Sequence, residues 1–225
     1  MQAFVRSLAV SACGLGVLLS GCVAGTKTPI SSGAASALEG KSLTYATHSM
    51  PDFAAMTAGK ATFGVFGAVA MISAGNSLVA ENHVPDPSVG LRERLGAKLQ
   101  SAHHMTFLAT GHADDTTSKV PELVARHNGA DYLLDVETIG WGFYYFPTDW
   151  SHYRVSYSAR MRLIDIHSGR IVAESMCKAS AGEGKGEKAP SKDELLANHA
   201  ALLKSDGGHF VDTCEQTLTQ EGVLI

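Results

Sequence analysis

The chain has 225 residues, 45% of them hydrophobic, with 18 Lys plus Arg against 22 Asp plus Glu and a net charge of −4. That is enough apolar material for one domain with its own core. The mild acidity, without a long run of either sign, excludes the basic surface that nucleic acid phosphates require of a partner.

At the start, the single charge Arg6 precedes an uncharged apolar run from Leu8 to Leu19, which ends in Leu19-Ser20-Gly21-Cys22. A positive start, a short apolar stretch and small residues before a cysteine form the pattern of a bacterial lipoprotein signal, too short to be a convincing membrane span. Residues 1–21 are expected to be removed and Cys22 to take a diacylglyceryl group and palmitate. Val23 follows Cys22, where Asp is the bacterial signal for retention in the inner membrane, so the expected location is the periplasmic face of the outer membrane. Two or more acyl chains hold a protein far more firmly than one, at about 0.8 kcal/mol per buried CH₂.

Residues 22–41 are mostly Gly, Ala, Ser and Thr and predict a flexible tether. Residues 42–49 predict a first strand, ended by Met50-Pro51-Asp52. Residues 61–80 contain no charge, and about half of them are small. As a helix this segment is about 30 Å long, the thickness of a bilayer's hydrocarbon core. Three readings stay open for it: a helix buried against the sheet, a face that meets another subunit, and a segment that touches lipid.

Asp86-Pro87 opens a helix with Asp as N-cap and Pro in the first turn, and Leu91, Leu95 and Leu99 give it one apolar face. Residues 105–110 predict a short strand, and residues 120–127 a short helix stopped by Asn128-Gly129. Residues 131–145 predict a strand, turned through residues 146–152 into the clearest alternation in the chain. There Tyr153, Val155, Tyr157, Ala159, Met161 and Leu163 are interleaved with Arg154, Ser156, Ser158, Arg160 and Arg162. Residues 165–170 form a tight turn into a third antiparallel strand over residues 171–178. Ser191-x-x-Glu194 is a capping box for a helix ended by Gly207-Gly208, and a last helix carries Phe210, Val211, Cys214 and Leu218 on one face.

Chemistry-bearing patterns are sparse. Cys13 leaves with the signal and Cys22 is lipidated, so Cys177 and Cys214 are the remaining pair in an oxidising compartment, and a disulfide is the simplest assignment. His103, His104 and His112 with Asp114 and Asp115 match no metal-ligand spacing, and no metal or other cofactor is expected. Gly182, Gly184 and Gly186 around Lys185 lack the spacing of a phosphate loop, and no nucleophile elbow occurs. Eight of the sixteen aromatics fall between Trp141 and Tyr157. They form either an aromatic core or a docking surface made of Trp141, Phe143, Tyr145, Trp150 and Tyr153.

With the lipoprotein signal, Asp86-Pro87, Ala130-Asp131-Tyr132-Leu133-Leu134-Asp135-Val136 and the turn at residues 165–170, the chain resembles small Gram-negative outer-membrane lipoproteins with a mixed α/β periplasmic domain. It is similar in this to the lipoprotein activators of penicillin-binding proteins and to the curli-secretion lipoprotein. The likeness lies in element order over residues 42–218 and carries over no functional residue.

The expectation is an α+β protein: signal 1–21, lipidated tether 22–41, and a periplasmic domain over 42–225. Its sheet is expected to be antiparallel, three- to five-stranded and covered by helices on one face. The expected role is non-catalytic, a lipid-anchored binding or assembly protein that docks an envelope protein or peptidoglycan through the aromatic hairpin. The alternatives are a membrane-active or oligomer-forming lipoprotein using residues 61–80, and a cell-wall hydrolase.

Overall fold

Strand β4 (Tyr132–Phe146) is hydrogen-bonded along both edges, and the rest of the chain is arranged around it. The structure is a computed structural model that describes residues 27–109, 114–184 and 188–220; the signal, Cys22, His112, Lys185 and Gly186 lie outside them. β4 pairs antiparallel with β5 (Asp149–Asp165), and β5 with β6 (Arg170–Ala181), which is the expected meander. Its last turn is held by Asp165, whose Oδ1 accepts the His167 and Ser168 N–H groups, with Gly169 at φ +66°.

The opposite edge of β4 departs from expectation. Two short strands lie end to end along it, both parallel to it: β1 (Ser42–Tyr45) beside residues 132–134 and β2 (Phe53–Met56) beside residues 141–144. β3 (Thr106–Phe107) joins β1, also in parallel. The sheet is therefore mixed and six-stranded, ordered β3-β1-β4-β5-β6 with β2 on β4, rather than antiparallel with three to five strands. The cause is connectivity: α3 (Gly64–Asn82) and α4 (Pro87–His103) intervene between these strands and β4, and a helical crossover returns a strand parallel to its neighbour.

The helices do not keep to one face. α4 and α6 (Lys192–Gln220) cover the larger core, where Leu91, Leu95, Leu99, Leu134, Met161, Leu163 and Cys214 are buried. α5 (Val120–Arg126) covers the other face at the Tyr132 end, closing a second cluster with Leu123, Leu133 and Ile164 at its centre. The α4 start is as read: Asp86 Oδ1 accepts the Ser88 N–H at 2.9 Å.

Three local differences have identifiable causes. The tether is partly ordered: Thr28 exchanges backbone hydrogen bonds with Glu174 on the β6 edge, and α1 (Ser32–Ala37), capped by Ser31, delivers Leu38 into the core. Gly207 and Gly208 lie inside α6, where it passes Pro87 of α4, while the break falls earlier, at residues 197–200. Asn198, His199 and Ala200 there take left-handed backbone with φ from +52° to +57°. The helical turn α2 (Ala58–Ala61) and strand β2 are too short and too poor in large apolar residues to show as periodicity.

Cys177 on β6 and Cys214 on α6 are disulfide-bonded, 37 residues apart, tying the last helix to the edge strand. Replacing both with Ser is expected to destabilise the domain by about 4 kcal/mol through regained loop entropy, read as a lower urea midpoint. His199→Gly is expected to act in the other direction. Relief of one left-handed non-glycine residue outweighs the added unfolded-state freedom, giving a gain of about 0.5–1 kcal/mol by the same measurement.

Candidate functional site

The aromatic hairpin is mostly core, and a bulge explains why. Thr138 faces Ala159 and Gly140 faces Ser158, so Ile139 is an extra residue on β4. One inserted residue flips every side chain that follows to the opposite face. Before the bulge Leu134 and Val136 point inward; after it Trp141 and Phe143 do. Trp141 packs edge-on against Phe53 at 4.9 Å, Phe143 against Tyr153 at 5.3 Å, and Tyr157 stacks on Phe210 at 5.7 Å. Trp141, Phe143 and Tyr153, expected as docking residues, are thus buried and unavailable to a partner, and Tyr145 is half-buried against the same core. Trp150 alone of the five stands out, 66% exposed at the hairpin tip, its indole N–H donating to the Pro147 carbonyl.

The exposed apolar surface is instead on α3. Its inner side is shaped to close the free edge of β2. A Cβ on Gly75 would sit 1.8 Å from the Phe53 carbonyl oxygen, so only glycine permits this approach. Asn76 Oδ1 accepts the Phe53 N–H at 2.9 Å while its Nδ2 donates to Asp52, and the Lys60 ammonium donates to the Ala55 carbonyl at 3.2 Å. Backbone groups that an edge strand leaves open are satisfied by side chains. Burial beside Lys192 holds the Lys60 pKa below the usual lysine value, with burial the larger cause.

The outer side of α3 has no such employment. Val65 is 80% exposed, Phe66 86% and Val69 66%, and Phe63 just ahead of the helix is 69% exposed. At 100° per residue Val65, Phe66 and Val69 share one arc of the first turns of α3, opposite buried Gly67; further along, the same arc carries Asn76, which is bonded to β2. The helix is apolar on both sides and carries no charge before Glu81. At 19 residues it is long and apolar enough to cross a membrane by length and composition alone. Of the three readings of residues 61–80, burial against the sheet holds only for the inner side. Met56 of β2 pairs with Tyr144, close to the hairpin turn, so α2, the start of α3 and Trp150 lie toward one end of the sheet.

Charged groups are gathered elsewhere and used internally. Asp135, fully buried on the second face, accepts from Arg162 Nε at 2.7 Å and lies 2.6 Å from His48 Nε2. Asp115, also buried, lies 3.1 Å from His127 Nε2 and accepts the Thr47 N–H at 3.0 Å. These contacts pin the residue 47–48 and 114–119 loops onto the sheet and leave the carboxylates closed to solvent. His103 ends α4, and His104, its left-handed C-cap, pairs with Glu39 at 2.7 Å. Among the described residues no group of three His, Cys, Asp or Glu could hold a metal ion. A shallow furrow of about 440 Å³ runs over the open part of the second face, floored by Gly140, Ser156 and Ser158 between Tyr144 and Lys178.

No protein-family model matches the chain, and no curated protein matches it. Solved structures to which it is similar include the LpoB C-terminal domain from Salmonella enterica, at 14% identity over 63% of this chain and 83% of that one, with a TM-score of 0.29. Lipoprotein GNA1162 from Neisseria meningitidis matches at 15% identity over 80% and 99%, with a TM-score of 0.32. The PelC dodecamer from Paraburkholderia phytofirmans matches at 13% identity over 87% and 94%, with a TM-score of 0.33.

Two measurements check this geometry. Gly75→Ala is expected to push α3 off β2 at a cost of about 1–3 kcal/mol and to open the residue 57–64 link to protease. For His48, burial disfavours the imidazolium, but the hydrogen bond and charge of Asp135 outweigh it, so its pKa is raised above the ordinary 6.5. A raised histidine adds stability that is full below the unfolded pKa and is lost as pH rises through the folded one. The urea midpoint is expected to fall from about pH 6 to about pH 9, and less steeply in His48→Gln.

Proposed function

We propose that the chain is a non-catalytic binding or assembly lipoprotein of the cell envelope, anchored through Cys22 to the periplasmic face of the outer membrane, which docks a partner through the outer side of α3. The observation that carries this is the row Phe63, Val65, Phe66 and Val69, more than half exposed at the start of a helix that carries no charge before Glu81. Four such side chains present roughly 500 Å² of apolar surface, the size of patch that marks an interaction site on a soluble domain. The hairpin contributes Trp150 at the same end rather than the aromatic row read from the sequence.

Anchoring supports this role physically. A lipid anchor confines the domain to a thin layer, so a partner in that layer meets α3 at a high effective concentration. The non-catalytic reading rests on where the charged groups are: the His48, Asp135 and Arg162 contacts and the Asp115, His127 pair lie inside the fold, not around a cleft. The cell-wall hydrolase reading has no paired carboxylates beside the hairpin to support it among the described residues; Asp149 there is bonded to His152 at 2.6 Å.

Cys22→Ser is expected to abolish incorporation of a palmitate analogue and to release the protein from the membrane fraction. Phe66→Glu with Val69→Glu, in otherwise intact lipoprotein, is expected to leave the thermal midpoint within about 2 °C, because an exposed site contributes little to folding. The same pair is expected to abolish co-isolation of the partner after envelope crosslinking. Retained co-isolation in that variant sinks the α3 assignment.

A further inference from the structure

We infer that the outer side of α3 is a self-association surface and that its occupant is α3 of a second copy of this chain anchored in the same leaflet; this rests on the lipid-anchor reading above. Three observations single out this occupant.

The first is where the tether leaves the fold. Thr28 is bonded to Glu174 on the outer edge of β6, and Glu174 stands opposite Arg162, which stands opposite Asp135 on β4. Thr28 lies only six positions after Cys22, at most about 20 Å of extended chain. β2, against which α3 packs, lies on the far edge of β4, six to nine residues further along it at residues 141–144. That is about 20–30 Å along the strands, and about 14 Å more across three strand spacings. The anchor therefore holds the Asp135 end near its leaflet, and the start of α3 projects from the opposite edge at the other end. Copies anchored in one leaflet through the same short tether carry α3 at a common height.

The second is charge. The outer side of α3 has none from Ala61 to Ala80, so two copies meet without repulsion, whereas the rest of this acidic domain would repel its own kind. The third is shape and size. Val65, Phe66 and Val69 alternate with Ala68, Ala70 and Ser73, so the large side chains of one helix can lie over the small ones of its copy, as knobs over holes. Roughly 500 Å² from each copy makes a total near 1,000 Å², about the threshold for a specific interface.

The test uses full-length lipidated protein in intact envelopes. With Cys22 acylated and Cys177 bonded to Cys214, Val69→Cys supplies the one free thiol of the mature chain. Mild oxidation is expected to convert most of it to a covalent dimer on non-reducing gels. Ser168→Cys, on the exposed turn before β6, is expected to give less than a tenth as much. Adding Phe66→Glu to Val69→Cys is expected to cut the dimer at least tenfold while a second, differently tagged copy ceases to co-isolate. A Val69→Cys protein that stays monomeric overturns the inference. If that thiol crosslinks only to a different envelope protein, self-association fails and the docking helix stands. If it reacts only with a lipid-dissolved maleimide, the bilayer is the occupant and self-association fails. If it reacts with an aqueous maleimide alone and forms no adduct with any protein, the docking reading fails with it.

Discussion

The extra residue at Ile139 is the constraint on which the rest of this structure depends. β4 has neighbours on both edges, so its side-chain parity cannot drift without consequence for the core on either side. Without the bulge, the side that buries Leu134 and Val136 would bring Gly140, Gly142 and Tyr144 inward, and Trp141 and Phe143 would face water. With it, the aromatic half of β4 joins the aliphatic half in one core. Gly142 then sits where a Cβ would come within 2.3 Å of the Ala54 carbonyl, which lets β2 lie close along that half. β2 in turn presents an open edge, closed by Gly75 and Asn76 of α3 and by Lys60 of α2. The exposed apolar side of α3 is thus positioned by a chain of fits that begins with one surplus residue.

The same chain of fits marks what the sequence could and could not reveal. The β5 alternation, the α4 cap at Asp86 and the Leu91, Leu95, Leu99 stripe are local patterns, and each lies where periodicity put it. The Cys177 to Cys214 bond was legible by elimination, once Cys13 was read as leaving with a signal and Cys22 as taking lipid. The parallel edge was not legible: β1, β2 and β3 are two to four residues long, and nothing local states which strand they pair with or in which direction. The bulge was equally silent, because Ile139 is an ordinary strand residue whose surplus is defined only by its partners on β5. That silence is why the hairpin aromatics divide between core and surface readings in sequence, while in structure Trp141, Phe143, Tyr153 and Tyr157 are core and Trp150 is exposed. Residues 61–80 were visible as an anomaly, but a helix apolar on both sides has no periodicity to say which side is buried.

Charge is distributed in a complementary way. Asp131 accepts both the N–H and the hydroxyl of Ser42, at 2.9 and 2.7 Å, which fixes the start of β1 on β4 and holds that carboxyl down at about 2. Asp135, Arg162 and His48 clamp the loop after β1, and removing one partner from such a buried set costs about 3–5 kcal/mol. Arg94 and Lys98 on α4 pair with Glu215 on α6, an exposed contact of lesser value. Ion pairs secure the β1 end of the sheet and the α4 to α6 seam, while the outer side of α3 is left free of any charge.

That separation has an energetic consequence. Roughly 500 Å² of apolar surface kept in water represents about 12 kcal/mol of hydrophobic free energy at 25 cal/mol per Å², an amount comparable with the whole stability of a domain. None of it is recovered by folding, since Phe63, Val65, Phe66 and Val69 stay more than half exposed in the fold. It is recovered only when something covers the outer side, and a covering surface must match it in lacking charge. A polar or acidic partner face would leave charges desolvated and unpaired against Val65 and Phe66. An identical helix meets the requirement without any further adaptation, because its outer side, uncharged from Ala61 to Ala80, then faces another like it.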